Sequence, residues 1–261
     1  YYRAGLFYIQ EPSAMLPVQL MDIKPGERVL DLCSAPGGKS TFIGERLKGE
    51  GLLVANDISP SRCKAVIKNI EKHGITNALI LSEDSGKLAD KFPAFFDKIL
   101  IDAPCAGEGM FRKDPKAVFS WIEKGTGHYI PVQRGLLNDA AYMLKPGGML
   151  VYSTCTYNKS ENEGNIRFFL ENNTGFMPVT INHVVLGVSK GLSGESHSAM
   201  IWPHLHDGEG HFAAVLKKSG ESPVSKKTEH TKSNNKQLSP FYDFCEKEMN
   251  TVITGNIILH G

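Results

Sequence analysis

Residues 28 to 57, RVLDLCSAPGGKSTFIGERLKGEGLLVAND, run through a short apolar strand, a turn rich in glycine and proline, a helix, and a second apolar strand that ends in Asp57. No other stretch restricts the fold as much. Strand, helix and strand at this spacing open an α/β unit of the kind that binds an adenosine-containing cofactor. A glycine turn between strand and helix leaves backbone N–H groups bare at the positive end of the helix, where something polar or anionic is expected.

The turn matches neither of the common nucleotide patterns. A GxGxxG fingerprint fails because Ser34, Ala35 and Pro36 stand where its glycines are needed. The loop GxxxxGK[ST] agrees at Gly38, Lys39 and Ser40, but Cys33 occupies its first glycine position. What remains is a tight bend from Gly37 and Gly38, with Pro36 fixing φ, followed by a helix. Asp57, at the end of the second strand, is placed to accept the two hydroxyls of a ribose. The alternative is a strand-end carboxylate that only caps the next helix.

The same rhythm continues along the chain. PSAMLPVQLMDI is an amphipathic lead-in that Pro12 starts and Pro17 kinks, and Pro25-Gly26 ends it. Ser59 as N-cap, Pro60 at the first helical position and Gly74 beyond the last turn bound a second helix with Cys63, Val66, Ile67 and Ile70 on its apolar face. ALIL at 78–81 reads as a buried strand and DKILID at 97–102 as another. Residues 103 to 130 are irregular and polar, as loops lining an active crevice are. A helix over 131–143, a Lys145-Pro146-Gly147-Gly148 turn and the strand MLVYST at 149–154 follow. Ser160 and Glu163 form a capping box for a helix to about Glu171. Residues 181–188 and 211–217 read as an edge pair of strands. Residues 219–240 are almost without apolar side chains and read as a flexible basic linker or loop. With six lysines between 217 and 236 against Glu221 and Glu229, this stretch is open to RNA contact, although a solvated linker is the plainer reading. Residues 241–261 are apolar enough to begin a further domain or to form a packed tail.

Asp57, Asp84, Asp102, Cys105 and Cys155 all fall at carboxyl ends of strands, which share one crevice in an open parallel sheet. Asp84 is placed to meet an adenine edge and Asp102 a substrate, while capping a loop is the structural alternative for each. Cys105 in APCAGEG and Cys155 in STCTY lie just past apolar strands, whereas Cys63 and Cys33 read as packing. Two thiols at one crevice also fit a disulfide or a metal, but no nearby His or Cys completes a zinc set. His204, His206, Asp207 and His211 have a spacing open to a metal, with an exposed loop as the alternative. A hydrolase triad finds no G-x-S-x-G turn. A reaction that wants a cysteine beside an adenosine cofactor is methylation of carbon 5 of a pyrimidine. That carbon is a weak nucleophile until a thiolate adds to carbon 6 and makes an enamine, and a neighbouring carboxylic acid near the ring nitrogen would stabilise the adduct. The base must leave any stack to react.

The chain has 261 residues, enough for a full core, and its net charge of +1 neither suggests nor excludes nucleic acid. Five cysteines with no CxxC pair, and no run of 18 apolar residues, favour a reducing cytoplasmic setting. The first residue is Tyr1 rather than Met, so a longer parent chain is expected.

DLCSAPGGKS at 31–40, DISPSR at 57–62, DAPCAGEG at 102–109 and STCTYNKSENE at 153–163 resemble the NOL1/NOP2/Sun family of S-adenosylmethionine-dependent RNA cytosine-5 methyltransferases, and bacterial ribosomal RNA members most. YIQEPSAMLP at 8–17 and GEGHFAAVLKK, ending at Lys218, fit it too. The resemblance implies a Rossmann-like class I methyltransferase, with a doubly wound, mostly parallel seven-stranded sheet and an antiparallel last strand. Residues 1–27 would be the end of an N-terminal extension and 28–218 the catalytic domain. S-adenosylmethionine would be held by Cys33, Ser34, Ala35, Pro36, Gly37, Gly38 and Lys39, with Asp57 on the ribose, Arg62 nearby, Asp84 at the adenine and Asp102 at the floor of the site. Cys155 would be the nucleophile, Cys105 would assist product release, Asp102 would contact the cytosine ring, and Lys39 would support the transfer. RNA would be the partner, ribosomal RNA ahead of transfer RNA, with no metal, no membrane and a monomeric chain. A small-molecule methyltransferase of the same fold and a non-catalytic RNA-binding relative are the alternatives. One departure is His211, where the family more often shows an aromatic residue.

Overall fold

The computed structural model describes residues 1, 4–125, 127–206, 208–220 and 239. The expected linker and tail therefore lie outside the described residues, except at Ser219, Gly220 and Ser239. The architecture below is that of the unit Tyr1–Ser222.

Strand alternation builds two cores on the faces of one sheet. In β1 (Arg28–Asp31) Val29 points to one face and Leu30 to the other, and β2 (Leu52–Asn56) divides Leu53 and Val54 in the same way. Leu30, Val54, Ile99, Ile101, Leu150 and Tyr152 share one core with Leu137 and Phe169. Val29, Leu53, Leu100 and Val151 share the other with Leu16, Ile43, Val66 and Ile70. The helices that cover the second face are α1 (Leu16–Leu20), α2 (Gly38–Leu47) and α3 (Pro60–Lys72). The first face is covered by α4 (Ser85–Lys91), α6 (Ile130–Met143) and α7 (Glu163–Asn172). Two of the buried cations have local partners. Lys98 bonds the Met21 carbonyl at 2.7 Å and tethers the lead-in segment, and Lys145 reaches Asp97 at 2.5 Å.

Strands β3 (Ala78–Leu81), β4 (Phe96–Asp102) and β5 (Leu144–Thr154) join β1 and β2 in parallel pairing. The order is β3-β2-β1-β4-β5, so the chain winds outward in opposite directions from β1 and from β4. Their carboxyl ends open a crevice at that switch point. Beyond β5 the sheet is antiparallel. Here β9 (His211–Lys218) pairs with β5, β8 (Ser198–Ile201) with β9, and β7 (Ser189–Lys190) with β8, while β6 (Phe176–Pro178) pairs with the far end of β9.

The mostly parallel sheet and its antiparallel end are as expected, but among the described residues the sheet has nine strands rather than seven, because two very short strands, β6 and β7, pair at the antiparallel end. Residues 181–188 are not a strand. Asn182 caps a helical turn, α8 (His183–Leu186), by accepting from Val185 N at 3.1 Å, and β8 pairs with β9 instead. The Ser160/Glu163 capping box does not form. Asn162 stands at the N-cap of α7 with Glu163 already helical, and Ser160 N donates to Asn158 Oδ1. The Lys145–Gly148 turn is absorbed into β5, with a register shift against β4 between Phe96 and Lys98. The loop after β4 contains a helix, α5 (Pro115–Lys124). Strand β3 is a partly exposed edge, Ile67 is 40 % exposed, and Pro17 sits in the first turn of α1 rather than kinking it.

Candidate active site

At the end of β1 the chain turns through Cys33 to Gly37, and the bend closes with Gly37 N on the Ser34 carbonyl at 2.7 Å. Gly37 adopts φ 106, which the missing Cβ permits, and Gly38 begins α2. A Cβ on Gly38 would lie 2.9 Å from the Tyr8 ring, so the glycine lets the segment Tyr8–Gln10 run close over the turn. Asp57 ties this turn to the next one. Its carboxylate accepts from Ala35 N at 3.3 Å and Ser59 N at 3.0 Å and pairs with Arg62 at 3.2 Å, and Arg62 in turn donates to the Ala35 carbonyl. Asp57 therefore fastens both loops besides facing the crevice. Asp84 caps α4 through Gly86 N and Lys87 N, as the bland alternative had it, yet also lines the crevice.

The carboxylate of Asp102 is the hub. Its Oδ2 accepts from Lys39 Nζ at 2.7 Å, and its Oδ1 from Ser153 Oγ at 2.7 Å and His211 Nε2 at 3.2 Å. Burial opposes the charge, but Lys39 and then His211 outweigh it and hold the carboxyl well below the usual carboxylate range. Burial likewise works against the Lys39 ammonium, and Asp102 more than offsets this, so its pKa is raised. Asp31, fully buried one strand away, behaves oppositely. It accepts from Ser40 Oγ at 2.6 Å, its Oδ1 has no partner, and burial pushes its pKa up to about 7. Burial also raises the Cys33 thiol.

Cys105 and Cys155 bring their sulfurs to 3.4 Å as free thiols, so the disulfide alternative is not realised. The contact with Cys155, followed by burial, pushes the Cys105 thiol well above its ordinary range, so Cys105 keeps its proton. The run Glu161-Asn162 locks both cysteine loops. Thr154 Oγ1 donates to Asn162 Oδ1 at 2.6 Å, and Asn162 Nδ2 donates to the Thr156 carbonyl at 2.9 Å. Glu161 Oε2 accepts from Ala106 N at 3.1 Å and from Gln133 Nε2 at 2.7 Å, while Gln133 also holds the Pro104 carbonyl.

Cys33, Ala35, Asp57, Arg62, Asp84, Asp102, Cys105 and Cys155 thus line one crevice of about 680 Å³. Ser34, Pro36, Gly38 and Lys39 line an adjoining recess of about 230 Å³ that shares Cys33, Ala35 and Asp102 with it. Of the expected cofactor residues, Gly37 alone borders neither. The sequence reading did not foresee the parts of Ser153, Gln133, Glu161, Asn162 and Asp31, and it weighed His211 only in a possible metal set and as a departure from the family's aromatic residue. The ENE run was visible as a motif, but nothing in its spacing said what it would hold. Among the described residues no cluster fits a metal ion, and the place of Asp207 in the expected PHLHDGEGH set lies outside them. No described helix is long and apolar enough to cross a membrane.

Known proteins place this arrangement. The family described as 16S rRNA methyltransferase RsmB/F matches residues 18–217. Ribosomal RNA small subunit methyltransferase F of Escherichia coli O7:K1 (strain IAI39 / ExPEC) is 40% identical over 226 residues, covering 85% of this chain and 47% of the relative. The protein of that name from Escherichia coli (strain K12) is 38% identical over 257 residues, covering 97% of this chain and 53% of the relative. The chain therefore spans about half the length of these relatives. NSun6 from Pyrococcus horikoshii, solved with SFG, an S-adenosylmethionine analogue, superposes with a TM-score of 0.72 at 32% identity over 84% of this chain and 55% of that one. On sequence and fold together, the chain belongs to the RsmB/F family of 16S rRNA methyltransferases, S-adenosylmethionine-dependent proteins of Rossmann-like fold within the NOL1/NOP2/Sun group.

Proposed function

We propose that the protein methylates carbon 5 of a cytosine in RNA, ribosomal RNA foremost, through a covalent adduct on Cys155. The residues present fit the cofactor. Ser34 Oγ is buried in the cofactor turn with no partner, as a hydroxyl awaiting a polar ligand would be, and the adjoining crevice ends in Asp57 and Asp84. Asp57 would take the ribose hydroxyls with its remaining lone pairs, Arg62 would brace Asp57, Asp84 would meet the adenine edge, and the Cys33 to Lys39 turn would hold the donor end. When bound, S-adenosylmethionine supplies the methyl group that carbon 5 takes once a thiolate has added to carbon 6.

The observation that carries the assignment is the thiol pair. The two sulfurs stand 3.4 Å apart at the crevice, and the contact with Cys155, followed by burial, raises the Cys105 thiol, which suits Cys105 to assist rather than to attack and leaves the attack to Cys155. Cys155 Sγ adds to carbon 6, and the electrons of the 5,6 double bond move to carbon 5. Asp102 is held ionised, so it does not act as the carboxylic acid that the chemistry first suggested. It would accept from the cytosine amino group, while Lys39, bonded to its Oδ2, balances its charge. After methyl transfer the carbon 5 proton passes to solvent water, its electrons re-form the 5,6 double bond, and the carbon–sulfur bond breaks to release Cys155 as thiolate, which the Cys105 thiol assists by hydrogen-bonding the departing sulfur.

The test is incubation of the protein with labelled S-adenosylmethionine and cellular RNA, comparing wild type with Cys155→Ala and Cys105→Ala. Label is expected in RNA 5-methylcytosine with wild type and to be absent with Cys155→Ala, and Cys105→Ala is expected to accumulate a protein–RNA adduct. Undiminished methylation by Cys155→Ala would remove it as nucleophile. Label that enters small molecules and no RNA would mark a different substrate class.

A further inference from the structure

His211 departs from the aromatic residue expected at its position, and the fold carries it to the hub of the site. It opens β9 where β5 ends. With Phe212 opposite Thr154, His211 lies one step further along, toward the Cys155 end of β5. The residue is 4 % exposed and lines neither the crevice nor the recess, so it acts through what it touches. It touches Asp102 Oδ1 at 3.2 Å.

We propose that His211 is a positioning residue for methyl transfer, its Nε2–H holding Oδ1 of Asp102 so that the carboxylate stays turned with Oδ2 on Lys39. This rests on the reading of the site given above. Burial, then the nearby Lys39 cation, depress the imidazole pKa, so the ring is neutral, and a neutral ring facing a carboxylate must carry its proton on Nε2. A phenyl ring in this place would fill similar space and donate nothing. Asp102 would then keep only Lys39 and Ser153, with one fewer donor to its ionised form. The other ionisable groups around this pair are Lys39 from α2, Asp31 from β1, Cys33 after β1, Cys105 after β4, Cys155 after β5, and Glu11, which faces His211 from the turn before α1. Loss of the His211 donor raises the pKa of Asp102, so activity fails at a higher pH on the acid side.

The experiment compares wild type, H211F and H211Q, each checked for a cooperative thermal melt, in single-turnover methylation of RNA across pH. H211F is expected to lose about tenfold or more in rate, the size of a lost hydrogen bond to a charged group, with unchanged S-adenosylmethionine affinity and an acid limb moved upward. H211Q, whose amide N–H reaches the place of Nε2–H, is expected to recover most of the rate. A wild-type rate and pH profile in H211F overturns the proposal, as does an H211Q no better than H211F. If wild type itself leaves RNA cytosine unmethylated, the functional reading fails independently. Carbon-13 titration of the Asp102 carboxyl in wild type and H211F then still decides the role of His211. An upward shift in H211F supports it, and identical curves overturn it.

Discussion

At the scale of single residues, the site sets two aspartates, Asp31 buried and Asp102 half-buried, in opposite states. Asp102 has three donors and stays charged, while Asp31 has one and an orphaned oxygen, and holds its proton up to about pH 7. An unfolded chain releases an aspartate proton near 4. Between those two values the folded chain binds more protons than the unfolded one, so the contribution of Asp31 to stability falls as pH rises from about 4 to about 7, by up to roughly 4 kcal/mol. Asp102 acts in the other direction, its stabilisation present above the unfolded pKa and lost as pH falls through the low folded value. Asp31→Asn removes the first of these terms. Urea unfolding across that window should show the variant gaining on wild type as pH rises, and parallel curves would contradict the protonation assigned to Asp31. Neither state was legible in the sequence. Asp31 and Asp102 are both acidic residues that end apolar strands, and only the partners brought in by α2, β5 and β9 distinguish them.

At the scale of elements, the two cysteine loops come from strands fifty residues apart and are held by one short run before α7. Asn162 bridges Thr154 and Thr156 from a fully buried position, so Asn162→Ala should remove the acceptor of the Thr154 hydroxyl and the side-chain donor to the Thr156 carbonyl and cost about 2 kcal/mol in urea unfolding. It should also slow methylation, because the Cys155 turn loses its brace. A variant as stable and as fast as wild type would show that the brace is idle. Helices α3 and α6 and strands β3 and β4 were legible to within a residue or so, since apolar periodicity and the punctuation of Pro60, Gly74 and Pro131 lie in the local sequence. The stretch 181–188 misled because a β-branched apolar run reads alike in a strand and in a short capped turn. The choice went to the Asn182 cap. Ser160 was passed over as a cap because Asn158 had already taken its backbone N–H.

At the scale of the molecule, the sheet is sealed on both faces, and Leu100 lies at its centre between Asp31 of β1 and Val151 of β5 in register, wholly buried. Leu100→Ala should lower stability by about 3 kcal/mol, the size of a leucine-sized cavity in a core that cannot collapse around it. A measured loss below about 1 kcal/mol would mean that the sheet repacks freely. The order of α and β elements, the glycine turn and the two cysteine motifs were determined by the sequence alone, because strand period, turn chemistry and motif spacing act between neighbours in the chain. The tertiary structure alone decided that Asp102 is held charged by its partners, that the Cys105 and Cys155 sulfurs meet, and that His211 reaches Asp102. Burial and partner geometry set those properties, and both arise only when β1, β4, β5 and β9 meet.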